Sequence, residues 1–229
     1  MSFREETTIK SHHKQKFVEA YGHLPREFLP HSFTKPKPGE KWSVRKWLDH
    51  FQTLFPRAEI PEKLILRPGL QFQPPRFLFG WSMDRVTFFE MAGRLGFSYF
   101  DPKTDVSRSV IPWLDMTPLL NKILRQEFGE IMDLLGWVNV APICLSNGRL
   151  AYCLALADSF STGNEKPSDE HIETLRAYFG IGEGSTIALA DNQPLWWLDY
   201  DCRFWRYKDS SCYNAENRPW MKKPRRHIQ

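Results

Sequence analysis

Long apolar runs, clustered metal ligands and phosphate-binding glycine loops are all missing from this 229-residue chain. No stretch approaches the about eighteen apolar residues that a membrane-crossing helix needs. The N-terminus has no apolar leader run, and Glu5 and Glu6 disfavour a transit peptide. The four cysteines, Cys144, Cys153, Cys202 and Cys212, form no CxxC pair and stand in no Cys/His cluster of zinc spacing. The seven histidines show neither HExxH nor HxH spacing, so no metal is expected. Ser146 and Ser159 lack a GxSxG context. The glycine-rich run Gly180-Ile181-Gly182-Glu183-Gly184 follows a predicted helix, whereas a phosphate cradle follows a strand. It reads as a helix stop and turn. No cofactor is implied. A site assembled from distant residues would leave no local pattern, so these absences do not exclude catalysis. The thiols are expected to be reduced and the protein soluble and cytoplasmic.

Aromatic residues are abundant at 14%, including nine Trp and seventeen Phe. Rings of that size are either buried or used at an interface. Charge is unevenly placed. Residues 1–46 carry a balance of +5, residues 47–202 of −7 and residues 203–229 of +6. An acidic body between two basic ends weakens the simple nucleic-acid reading, which expects a basic body.

Prolines at 25, 30, 36 and 38 rule out a long helix there and leave an arm over 1–41, with Phe28, Leu29 and Phe33 able to strap it onto the body. Apolar residues at helical spacing predict a helix over 44–55, capped by Ser43 and ended by Pro56. A second is predicted over 83–95 with Ser82 as its cap and Gly96 as its stop. A third is predicted over 118–135, with Thr117 as cap, Pro118 in the first position and Gly136 after the end. A fourth is predicted over 169–179, between Ser168 and Gly180. The apolar runs 138–145 and 149–157, separated by Ser146-Asn147-Gly148, predict a hairpin whose second strand is central. Shorter extended pieces are expected at 76–79, 185–190, 195–200 and 203–207. Helices and strands are segregated along the chain, which predicts an α+β fold. Several amphipathic helices would pack on a small antiparallel or mixed sheet, with an extended N-terminal arm and a basic C-terminal tail. The expected division is arm 1–41, one globular domain 42–209 and tail 210–229.

Chemistry concentrates in 190–207, an aromatic–acidic segment. Asp199 and Asp201 stand at i, i+2, which on a strand places both carboxylates on one face. With Asp191 they make a candidate catalytic set. The plainer reading is turn acids paired with Arg203 and Arg206. Trp196, Trp197, Tyr200, Phe204, Trp205 and Tyr207 form a candidate stacking platform for a small molecule or a partner's side chains, with Trp196, Trp197, Tyr200, Trp205 and Tyr207 as the candidate ligand-binding rings. Adjacent tryptophans on a strand face opposite ways, so part of the set must be core. Lys222, Lys223, Arg225 and Arg226 form a basic run able to meet a polyanion, and would also serve nuclear import. The leading expectation is a recognition protein binding a protein or small-molecule ligand through the aromatic–acidic segment. The alternatives are an enzyme acting on a small molecule or glycan through the aspartates, and accessory nucleic-acid binding by the basic termini. Oligomeric state is left open.

Overall fold

A computed structural model of the chain describes residues 11–30, 33, 44–65, 72–83, 87, 91, 93, 95, 113–145, 150–160, 167–181 and 193–207. Its described α-helices are α1 (Ser11–Tyr21), α2 (Val44–Gln52), α3 (Trp113–Glu127), α4 (Gly129–Leu135) and α5 (Asp169–Phe179). Its described strands are β1 (Phe72–Gln73), β2 (Phe77–Met83), β3 (Asn139–Cys144), β4 (Leu150–Asp158), β5 (Leu195–Leu198) and β6 (Arg206–Tyr207). The fold is α+β. Four strands form an antiparallel sheet in the order β3-β4-β2-β5, and β1 pairs with β6. Among the described residues no helix is long and apolar enough to cross a membrane.

The predicted hairpin is the pair β3–β4, in register from Asn139↔Ala155 to Cys144↔Leu150. Its Ser146-Asn147-Gly148 turn lies outside the described residues. β4 is central because it is apolar on both faces. β2 lies beside it and is longer than the predicted extended piece, with all seven residues buried. Ser82 therefore does not cap a helix. It is a buried strand residue opposite Cys153. A side chain as small as serine fits the sheet without ending it. Thr87, Met91 and Gly93 are helical, and the rest of that predicted helix lies outside the described residues.

Three of the predicted helices find counterparts, two of them with altered ends. α2 begins where expected, and Trp47 and Phe51 pack inward. α3 starts at Trp113, so Pro118 lies inside it rather than at its first position. Thr117 does not cap it: its hydroxyl donates to Asn139 Oδ1 at 3.2 Å and ties the helix to β3. The predicted single helix breaks at Phe128, whose φ of −136° and ψ of 54° leave helical space, and resumes as α4. α5 has the predicted ends. Ser168 Oγ accepts from the N–H of His171, and Gly180 closes the helix at φ 67°. The arm is not wholly extended, because α1 occupies part of it. Phe17 and Tyr21, one turn apart, are its buried pair.

The sheet has two apolar faces. Phe77, Phe79, Trp81, Leu154, Val140 and Leu198 join the main core, which also holds the helices' inner residues. The opposite face is a second cluster of Leu78, Ala141, Ile143, Ala151, Cys153, Ala155 and Trp197. Residues after β5 return to the far edge, where Asp199 bridges Ile143 and the N–H of Tyr200 donates to Pro142 O at 3.0 Å. The outer edge of β5 is also held, by Arg57, which exchanges two backbone hydrogen bonds with Trp196. Both sheet edges are thus engaged within the chain, which disfavours edge-to-edge pairing with another strand.

The register shifts between Phe79 and Gly80, opposite Ala157 and Ala155. A β-carbon at Gly80 would stand 2.0 Å from the carbonyl oxygen of Leu154. That neighbour is backbone of the central strand and does not yield easily. Gly80→Ala is expected to destabilise the protein by about 3 kcal/mol, the upper range for overpacking. Urea unfolding followed by tryptophan fluorescence measures it, and an unchanged midpoint would show that the close approach is not tight.

Candidate functional site

The aromatic–acidic segment enters the fold as a strand and leaves it as a turn. β5 ends at Leu198, and the chain turns through Tyr200 and Asp201. Asp199 and Asp201 therefore do not share a strand face. Asp199 is fully buried, while Asp201 is exposed. Asp191 lies outside the described residues.

The partner of Asp199 is Arg76, 123 residues earlier in the chain. Arg76 Nε donates to Asp199 Oδ2, and Nη2 lies against the same oxygen. Asp199 Oδ1 accepts from the N–H groups of Asp201 at 2.7 Å and Cys202 at 3.3 Å. The main chains are joined as well: Asp199 N donates to Arg76 O at 3.1 Å, and Arg76 N donates to Cys202 O at 2.9 Å. Both carboxylate oxygens are thus occupied by protein donors. That arrangement suits a structural anchor, and leaves no lone pair directed to a substrate. Among the described residues no group of three His, Cys, Asp or Glu is placed to hold a metal ion.

The aromatic candidates separate by burial. Trp196, Trp197 and Trp205 are 3%, 2% and 2% exposed. Trp196 packs in the main core, its ring 5.3 Å from that of Phe79. Trp197 faces the other way into the second cluster and donates its indole N–H to Gly80 O at 3.0 Å. Trp205 meets Phe17 and Tyr21 edge-on at 5.2 and 5.0 Å and donates to Phe28 O at 3.0 Å. These indoles stack on the chain itself, with each buried N–H at 197 and 205 given an acceptor. Tyr207 pairs with Phe72 in the small sheet.

Tyr200 differs, because it is partly exposed. The Arg203 guanidinium lies 4.1 Å from its ring centroid and 5.0 Å from that of Phe204. Arg203 Nη1 also donates to Tyr200 O. Phe204 stacks on Trp47 at 6.3 Å. The result is a ring–cation–ring ladder at the surface of the segment, with Asp201 exposed in the turn that forms it. Among the described residues Arg203 forms no ion pair with Asp199 or Asp201. Arg76 takes Asp199, and the guanidinium of Arg203 is held by π faces instead. Phe204 is among the stacking rings that the sequence marks, whereas Arg203 stands there only as a partner for the turn acids; its spacing from Tyr200, at i+3, is the signal that marks it.

Cys144 is buried close enough to Arg203 and Asp199 to feel both charges. Burial pushes its thiol up from 9.0 to about 11, against the opposing pull of Arg203 and a hydrogen bond from Gln52. Burial also pushes Cys153 well up. Both are protonated at neutral pH and are poor nucleophiles. A recess of about 20 Å³ between Leu135, Trp137, Asn139 and Asp158 has room for little more than one water. Lys222, Lys223, Arg225 and Arg226 lie outside the described residues. Comparison with protein families, curated proteins and solved structures returns no match.

Removing one partner of the buried pair strands the other. Asp199→Ala should cost about 3–5 kcal/mol, while the double change Arg76→Met with Asp199→Leu should recover most of it. Urea denaturation of the three proteins tests this, and a double variant as unstable as the single would refute it.

The thiols set an alkaline dependence. A pKa raised on folding adds stability that is complete below the ordinary 9.0 and is lost as pH rises through about 11. The unfolding midpoint should therefore fall between those values, and Cys144→Ala should fall less steeply. Parallel slopes for the two proteins would contradict the buried, protonated thiol.

Proposed function

We propose that this chain is a non-enzymatic recognition protein that meets a protein partner through the exposed side of its aromatic–acidic segment. The observation that carries the reading is the Arg203 guanidinium held between the Tyr200 and Phe204 rings at the surface. Tyrosine and arginine are over-represented among the residues that dominate binding energy. A guanidinium already stacked and tied to a carbonyl loses little further freedom on binding, so more of its contact energy is retained. The mount is rigid, because the turn that carries Tyr200 and Asp201 begins at the buried Arg76–Asp199 pair.

The enzymatic reading draws no support from the same geometry. Asp199 is committed to Arg76 and to two backbone N–H groups, and Asp201 is exposed.

A peptide-array screen with the intact chain supplies the test. Peptides selected by the wild-type protein should bind Tyr200→Ser and Arg203→Ala variants at least tenfold weaker, at unchanged melting temperature. Equal affinity for all three proteins would overturn the assignment.

A further inference from the structure

Two arginines approach the turn after β5, and only one of them meets a carboxylate among the described residues. Arg76 is closed on Asp199. Arg203 is half-buried and belongs to no ion pair among the described residues. An arginine carries five N–H donors in one planar fork. Arg203 Nη1 donates to Tyr200 O. Its Nε is buried and, among the described residues, reaches no acceptor. Nη2, which shares an edge of the guanidinium with Nε, makes no hydrogen bond among them either. The Tyr200 and Phe204 ring centroids, 4.1 and 5.0 Å from the guanidinium carbon, offer the charge π faces rather than lone pairs. A buried donor without an acceptor is rare in a folded chain and is costly until one arrives.

We propose, on the reading of this segment as a protein-binding surface, that the Nε–Nη2 edge of Arg203 receives the carboxylate of one Asp or Glu side chain on the partner. A carboxylate fits the geometry, because its two oxygens match two parallel N–H groups. It fits the charge, because it supplies the counter-ion that the described residues do not. A neutral side-chain amide has one acceptor oxygen and leaves the fork half met. The charge nearby sets an upper limit as well. Asp201 is exposed two residues away, and residues 47–202 carry a balance of −7. A phosphate group with nearly two negative charges, or a run of acidic residues, meets more of that repulsion than a single carboxylate does. The partner is therefore a peptide segment with one isolated acidic residue at the contact. Arg203 is positioned for it in advance by Tyr200 O and the two rings.

The test is an array of short peptides in triplets that share a sequence and carry Glu, Gln or phosphoserine at the centre, probed with the intact chain. Among the sequences bound, the Glu member should bind about tenfold tighter than the Gln member, and tighter than the phosphoserine member. Arg203→Lys keeps the charge and loses the fork, so the preference for Glu over Gln should shrink to roughly twofold. The comparison within each triplet needs only the wild-type chain, and so stands even if the variant folds poorly. Glu and Gln members bound alike would overturn the carboxylate, and tighter binding of phosphoserine would do the same. In either case the recognition reading survives if Tyr200→Ser still weakens binding at unchanged melting temperature. An Arg203→Lys protein that keeps the full preference for Glu would place the carboxylate elsewhere and sink the assignment of this edge. Binding to no peptide at all would overturn both the edge and the recognition reading.

Discussion

The described segment 193–207 hangs on one buried ion pair. Arg76 is 1% exposed and Asp199 not at all. Desolvating two opposite charges is costly, and it is offset only when their remaining donors and acceptors are met. Asp199 meets that condition by folding the next three residues around itself, so that two of their N–H groups reach Oδ1. The turn at Tyr200–Cys202 is in this sense a product of the carboxylate. Arg76 stands immediately before β2, and its main chain is bonded to the same turn. One interaction therefore sets where β5 ends, where the chain reverses and how the following residues reach the opposite sheet edge.

From that anchor the segment acts as a clasp. It closes the sheet through Asp199 and Tyr200, meets the arm through Trp205, and stacks on α2 through Phe204. Most of its rings are consumed in this work. Trp196 and Trp197 line opposite faces of one strand, so the sheet's two cores each receive one large ring. In the turn and just after it, Asp201 is exposed and Tyr200, Arg203 and Phe204 are half-buried.

Local features of the fold were legible in the residues. The 169–179 helix is bounded by Ser168 and Gly180 because capping and a left-handed stop are chemistry of adjacent residues. The β3–β4 hairpin and the central place of β4 follow from apolar runs about a turn signal. Legibility failed where a local cue had a stronger distant competitor. Thr117 resembles a cap, but Asn139 takes its hydroxyl. Ser82 resembles a cap, but the pairing of β2 with β4 carries the strand past it. α1 was missed because only Phe17 and Tyr21 mark its buried face, and their burial rests on Trp205 and Phe72 far along the chain.

The candidate site divides along the same line. The sequence by itself determined that aromatic and acidic residues crowd into 190–207, that neighbouring tryptophans would part to opposite faces, and that the chain would fold as α+β. Those conclusions need only composition and the two-residue period of a strand. Only the tertiary structure decided which carboxylate is buried, which rings are core and which cation is left at the surface. Each depends on a partner across the chain: Arg76 for Asp199, Gly80 for Trp197, Phe28 for Trp205. Burial is a property of the assembled neighbourhood, and no spacing within 190–207 records what the rest of the chain brings against it.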